Sequence, residues 1–328
     1  KEYIVTAPIS LNDIKSWHVE IVSKCAVNCS KCSRVVFPEA NTNTSLPLDV
    51  FKQAFTPEIL KKRYKFLLCG NYGDAIYHNN FHGYLEYLKE HNQMISIRTN
   101  GSYRSTDWWE KTASILQEHD TMSFCVDGLR DTNHIYRENA DWDSIEASMR
   151  IMATSKARSH WELIVFKHNE HQLEEARELC TEIGLDEFTL IKSDRYKGLD
   201  DPLRPSDDWV SSNKTAKPVI EPKNKMIQPL CSTGNLHYIS AEGVYTPCCW
   251  IASNNDYLEV SPFGIQRDNY SIRYHTLQQI IDQRSQDFIR SLEDYDNAPS
   301  QCRKKCTKDR TLQQENTWVS PTSQRIKE

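Results

Sequence analysis

Between residues 17 and 192 the chain alternates six short apolar runs with five helix-length amphipathic segments, and this order limits the folds open to it. The runs are 17–23, 65–70, 95–100, 122–128, 161–167 and 187–192, each rich in Val, Ile, Leu, Phe or Trp. Continuous apolar runs of this length suit strands buried on both faces. The segments between them, 48–62, 81–91, 105–119, 142–155 and 171–184, carry apolar residues at helical spacing. Ser105 and Thr106 are candidate N-caps, and Gly184 is a C-terminal stop. Alternation of this kind builds βαβ units and a parallel sheet. Six strands are too few for a closed eight-stranded barrel. The expected fold is α/β, a partial (β/α)6 TIM-like barrel.

The character changes after residue 198. Residues 199–228 hold four prolines and many polar residues, which reads as a linker or covering loop. A hairpin is expected at 236–250 and a helix at 276–293. The expected domains are therefore 1–198, a barrel; 199–228, a linker; 229–310, a small α+β domain; and 311–328, a polar tail.

Net charge is only −5, so no basic field draws the chain to nucleic acid or an anionic membrane. It has no apolar run of about 18 residues and no signal-peptide core near Lys1. Eleven cysteines at irregular spacing, without a signal peptide, argue against a disulfide framework. A reducing cytoplasm is expected, with the cysteines at metal sites.

Cys25, Cys29 and Cys32 follow the first strand at spacings of four and three. Soft thiolates select zinc or an iron–sulfur cluster. Three ligands leave one iron of a four-iron cube open. A closed zinc site needs a fourth ligand, and no Cys or His lies near enough to supply it. Loops at strand C-termini are also where barrels of this class place their active sites.

Four further segments stand at successive strand ends. They are Cys69-Gly70-Asn71-Tyr72-Gly73-Asp74; Thr99-Asn100-Gly101; Cys125-Val126-Asp127-Gly128 with Arg137 twelve residues after Cys125; and Asn169. The glycines let backbone approach a ligand. Asp74 can accept from an ammonium, and the Arg137 fork matches a carboxylate.

Together these motifs, over roughly residues 17–195, resemble the radical S-adenosylmethionine (SAM) superfamily. The resemblance implies a catalytic [4Fe–4S] cluster on Cys25, Cys29 and Cys32. It also implies SAM contacts from Gly70, Asn71, Tyr72, Gly73, Asp74, Thr99, Asn100, Cys125, Arg137 and Asn169. Lys31 stands where the family usually has an aromatic residue. Cys69, Cys125 and Cys180 are given no cluster role.

In the last third, Gly243-x4-Cys248 and the late pair Cys302 and Cys306 resemble the SPASM/Twitch domains of the same superfamily. The resemblance implies a second [4Fe–4S] cluster on Cys231, Cys248, Cys302 and Cys306. Cys249 is the spare and the alternative to Cys248. A four-cysteine structural zinc site is the rival.

The expected function is reductive SAM cleavage followed by hydrogen-atom abstraction inside an apolar, dry barrel. The outcome is a net oxidation of a small molecule or carbohydrate, with the second cluster as electron acceptor. About 16 residues precede the first strand, too few for a leader-binding domain. A peptide-modifying maturase is the alternative, and a zinc-stabilised binding protein is the alternative of another class. An electron donor such as flavodoxin or ferredoxin is the expected partner.

Overall fold

The computed structural model describes residues 9–211, 225–234, 236–253, 258–259 and 261–307. Six parallel strands form the barrel wall. They are β1 (Ser16–Val19), β3 (Lys65–Leu68), β4 (Met94–Thr99), β5 (Thr121–Cys125), β7 (Arg158–Ile164) and β8 (Glu187–Ile191), paired in that order. All six lie where the apolar runs place them. The hairpin β9 (His237–Ile239) and β10 (Tyr245–Thr246) extends the same sheet. β9 pairs in parallel with β1, with Trp17 opposite His237 and Val19 opposite Ile239. The sheet thus has eight strands, two more than the barrel itself. Gly243 turns the hairpin at φ +86°, a conformation that favours glycine. A separate two-stranded ladder pairs β2 (Asn28–Cys29) with β6 (Arg137–Glu138). The one-turn helices α1 (Ser33–Val36) and α5 (Asn133–Tyr136) flank this ladder in the chain.

The expected helices are present with adjusted ends. Segment 48–62 stops early as α2 (Leu48–Ala54), because Pro57 lacks an N–H and keeps Thr56 out of the helical region. The others are α3 (Phe81–Glu90), α4 (Thr106–Ile115), α6 (Trp142–Ala153) and α7 (Leu173–Ile183). Ser105 caps α4 by accepting from Trp108 N, and Gly184 ends α7 at φ +86°. The expected helix at 276–293 is two pieces, Gln279–Arg284 and Gln286–Ser291. Part of the expected linker, 212–224, and the expected tail, 311–328, lie outside the described residues.

The apolar core lies between sheet and helices. Trp17, Phe51, Phe55, Phe66 and Tyr84 are fully buried there, with Phe51 and Phe55 ring centroids 4.7 Å apart. The inner face is different. Ser123 faces His160, whose Nε2 meets Thr189 Oγ1 at 2.8 Å, and Arg98 reaches across to Glu162 at 2.9 Å. This corrects the expectation of an apolar interior. Most apolar residues of the strands point outward to the helices, and polar residues alternate with them on the lumen side, where Ile164 and Ile191 also line the cavity.

Candidate active site

A cavity of about 460 Å3 opens at the C-terminal ends of the strands. Cys25, Cys29 and Cys32 line it together. Local structure fixes each. The β2–β6 ladder sets Cys29 opposite Arg137. Cys32 caps helix α1, its carbonyl accepting from Val35 N and Val36 N. Asn100 Nδ2 approaches Cys25 Sγ at 3.4 Å, and Arg137 Nη1 approaches Cys29 Sγ at 3.8 Å. Burial and then the Asp74 charge push the Cys25 thiol up to about 12. Burial also raises Cys29, against the favourable charge of Arg137. Burial disfavours the thiolate forms here, and a bound metal centre would supply the positive charge that offsets it. Among the described residues, no three His, Cys, Asp or Glu side chains form a group that could hold a single metal ion.

Gly70, Asn71, Tyr72, Gly73, Asp74, Thr99, Asn100, Cys125 and Arg137 all line the same cavity. Asp74 is fixed from three sides. Its Oδ2 accepts from Thr99 Oγ1 at 3.0 Å, Asn100 N at 2.7 Å and Asn100 Nδ2 at 2.7 Å. Burial lifts its carboxyl to about 6 in spite of those donors. Thr99 and Asn100 thus donate to Asp74, while Asn100 Oδ1 accepts from Ser102 N at 2.9 Å and Tyr77 Oη at 3.2 Å. Arg137 Nε pairs with Asp127 Oδ2 at 2.8 Å, with both side chains buried. Cys125 Sγ lies 4.0 Å from Glu162 Oε2.

One expectation needs correction. Asn169 does not face the cavity. It is fully buried, donates to Asp127 O and Ile164 O at 2.9 Å each, and accepts from Phe166 N at 2.8 Å. Its amide closes the turn after β7. Gly70 and Gly73 line the cavity, and the protein itself also packs closely against them. A Cβ on Gly73 would sit 2.0 Å from Val22 O, and one on Gly70 2.5 Å from Glu20 Oε1. They let the 70–74 loop close on the chain leading to Cys25. Lys31, in the family's aromatic position, is held by Asp201 at 3.0 Å.

The sequence reading missed Glu20, Arg98 and Glu162, and it gave Asp127, within a quoted motif, no role. Arg98 and Glu162 had a visible signal, since each is a charge inside an apolar run. Glu20 had the same signal in the first run.

A second thiol group lies beyond the hairpin. Cys231 sits in the turn Leu230–Thr233, Cys248 caps α8 (Cys249–Ala252), and Cys302 and Cys306 lie in and at the end of the helix Ser300–Lys305. Burial raises Cys231 well above the usual thiol range, and charge on Cys248, Cys302 or Cys306 raises it further. Each of these three thiols is thus near enough for its charge to be felt at Cys231. Cys249 differs. It contributes to the environment of Cys69, and its carbonyl accepts from Asn71 Nδ2 at 3.2 Å. Trp250 and Lys305, each next to a cysteine of this region, line the first cavity, and Lys305 Nζ lies 4.5 Å from the Trp250 ring centre.

No protein-family model matches the chain, and no curated protein sequence does. Solved structures do. SuiB of Streptococcus suis bound to the precursor peptide SuiA matches 85% of this chain and 67% of its own, with 13% identity and a TM-score of 0.57. SuiB bound to S-adenosylmethionine matches 74% of this chain with 13% identity and a TM-score of 0.54. The chain spans only 62% of that SuiB chain. Hexahistidine-tagged anSMEcpe with bound AdoMet matches 84% of this chain and 83% of its own, with 13% identity and a TM-score of 0.53. These neighbours are radical SAM enzymes, and the chain shares their fold. No helix among the described residues is long and apolar enough to cross a membrane.

Proposed function

We propose that the chain is a radical SAM enzyme, with a [4Fe–4S] cluster held by Cys25, Cys29 and Cys32. The observation that carries this reading is one cavity, at the strand C-termini of a radical SAM fold, lined by the three thiols, Asp74 and Arg137. When bound, cluster and SAM together supply hydrogen-atom abstraction from an unactivated C–H bond. Asp74 would take the ammonium of SAM and Arg137 its carboxylate. Asp127 holds the guanidinium in place. Beyond them, Arg98 and Glu162 line the lumen side where a substrate would lie.

Residues 1–198 form the barrel unit in this reading and 229–310 the auxiliary unit. Cys231, Cys248, Cys302 and Cys306 would hold a second [4Fe–4S] cluster, which would serve as electron acceptor. Trp250 and Lys305 support a short route, since they belong to the auxiliary unit and line the barrel cavity. The reaction is then a net oxidation. The charged lumen favours a small polar molecule or carbohydrate. The likeness to SuiB bound to the peptide SuiA supports a second reading, a peptide-modifying enzyme.

Anaerobic purification and reconstitution test the reading. A brown protein with roughly eight irons per chain supports it, and a colourless protein with zinc refutes it in favour of a binding module. Replacing Cys25, Cys29 and Cys32 by Ala should abolish 5′-deoxyadenosine formation and leave the second cluster. Deuterium transfer into 5′-deoxyadenosine from metabolite and peptide pools then separates the two substrate classes.

A further inference from the structure

Glu20 follows the last residue of β1 and is only 2% exposed, yet its polar contacts are not those of an ordinary buried carboxylate. Oε1 accepts from Tyr72 N at 2.8 Å and Gly73 N at 2.9 Å, and Oε2 accepts from Tyr238 Oη at 2.5 Å. Among the described residues, these hydrogen bonds all come from neutral donors. A buried carboxylate without a cation beside it is costly, and an apolar residue at the end of a strand would cost the fold less. Burial raises the pKa of Glu20, which is the mark of that cost.

What the cost maintains is a junction of three segments. Glu20 N donates to Ile239 O at 2.9 Å, so its backbone is tied to β9. Its side chain holds the 70–74 loop, and Tyr238 reaches it from the hairpin. Asp74 N donates to Lys24 O at 3.0 Å, one residue before Cys25. The loop is therefore hung between the cysteine loop and the C-terminal hairpin, and one oxygen of Glu20 accepts two of the N–H groups that hang it. Glu20 itself lines a neighbouring cavity of about 550 Å3, not the one that holds the thiols. It can act on a ligand there only through the loop.

We infer that Glu20 is a positioning residue for SAM: with Tyr238 it fixes the backbone of residues 71–73, and so the place where Asp74 presents its carboxylate. The inference rests on the reading of Asp74 as the partner of the SAM ammonium. It also makes the C-terminal hairpin a contributor to SAM affinity through one tyrosine hydroxyl.

The test compares the wild type with Glu20→Ala, Glu20→Gln and Tyr238→Phe after anaerobic reconstitution. It measures labelled-SAM equilibrium dialysis, iron content, and amide exchange over residues 70–76. Losing two hydrogen bonds to a buried carboxyl should weaken SAM binding by about ten-fold or more in Glu20→Ala. Iron content should hold, and the amides of Tyr72 and Gly73 should exchange faster. Glu20→Gln keeps an oxygen for both N–H groups and should stay within about three-fold of wild type. Tyr238→Phe should fall between them. Wild-type SAM affinity in Glu20→Ala overturns the inference, and so does a Gln variant as damaged as the Ala variant. Should Glu20→Ala fail to fold, Tyr238→Phe carries the test, and unchanged affinity there overturns it. A wild type that does not bind SAM refutes the proposed function instead, while exchange at Tyr72 and Gly73 still reports whether Glu20 holds the loop.

Discussion

Gly73→Ala is the sharpest probe of how the site is assembled. The added methyl would meet Val22 O at 2.0 Å, Ser23 Cα at 2.7 Å and Lys24 N at 2.8 Å. All three are backbone atoms, so no side chain can swing away. Carbon contacts settle near 3.5–4.0 Å, so the loop must retreat from the cysteine segment by more than about 1 Å. That movement pulls against Gly73 N to Glu20 Oε1 at 2.9 Å and Asp74 N to Lys24 O at 3.0 Å. Overpacking costs about 1–3 kcal/mol, and a weakened hydrogen bond to a charged acceptor about 1.5–3 kcal/mol. The expected outcome is a loss of SAM affinity by about 10- to 100-fold. Gly184→Ala is the control. It has open space for a Cβ but φ +86°, so it should cost about 1 kcal/mol of stability and leave SAM binding alone. The assays are SAM dialysis and thermal unfolding of the reconstituted protein. Gly73→Ala with wild-type SAM affinity would refute the claim that glycine is there for the close approach of two backbones.

Three further outcomes follow from the same contacts. Asp74→Asn and Arg137→Gln should each weaken SAM binding by about 1.5–3 kcal/mol, read by dialysis, and unchanged affinity in both removes them from the SAM site. His18 is held near pKa 4 by burial, below its ordinary 6.5, with Nε2 donating to Cys69 O at 2.9 Å. The unfolded chain therefore binds its proton first, and as pH falls from 6.5 to 4 the fold loses up to about 3 kcal/mol at this residue. His18→Gln should flatten the pH dependence of the melting temperature in that window, and an unchanged slope rejects the assignment. For the auxiliary site, Cys248→Ala should change the Mössbauer spectrum and Cys249→Ala should not, since charge on Cys248 raises both Cys231 and Cys302, while the Cys249 carbonyl accepts from Asn71 Nδ2 at 3.2 Å. The reverse result exchanges the two ligands.

The barrel was legible because each strand carries a cluster of large apolar residues between helical segments, and these clusters survive any uncertainty about loops. The strand ends then placed Cys25, Cys29, Cys32 and all the expected SAM residues but Asn169 on one cavity. Helix α2 fell short because one proline outweighs a good periodic pattern. Asn169 was misplaced because sequence position gives a turn but not the direction of its amide, and here three backbone groups claim it. The pairing of β9 with β1 joins residues 17 and 237, a contact that no local pattern announces. Glu20 stood out as a charge in an apolar run, but its role did not, since the Tyr238 hydroxyl that gives it meaning lies 218 residues away.

The polar lumen is the remaining departure from expectation, and it is testable as a matter of energetics. Arg98 and Glu162 occupy lumen-facing positions on β4 and β7, with side chains 48% and 8% exposed. Among the described residues the guanidinium hydrogen-bonds Glu162 through Nη2, one of several donors in its five-donor fork, and the rest of the fork borders the cavity. A partly buried ion pair of this kind adds little stability, and hydrophobic replacements of both partners are often neutral or better. If the pair serves the substrate rather than the fold, Arg98→Leu with Glu162→Leu should unfold within about 1 kcal/mol of wild type. It should keep its iron and still cleave SAM, and it should fail to transfer deuterium from any substrate the wild type accepts. Glu162→Leu alone should be less stable than the double variant, because it leaves the guanidinium unpaired beside Cys125 and Cys69. A double variant that turns over substrate normally but is much less stable would show the opposite, a pair kept for the barrel and not for what the barrel holds.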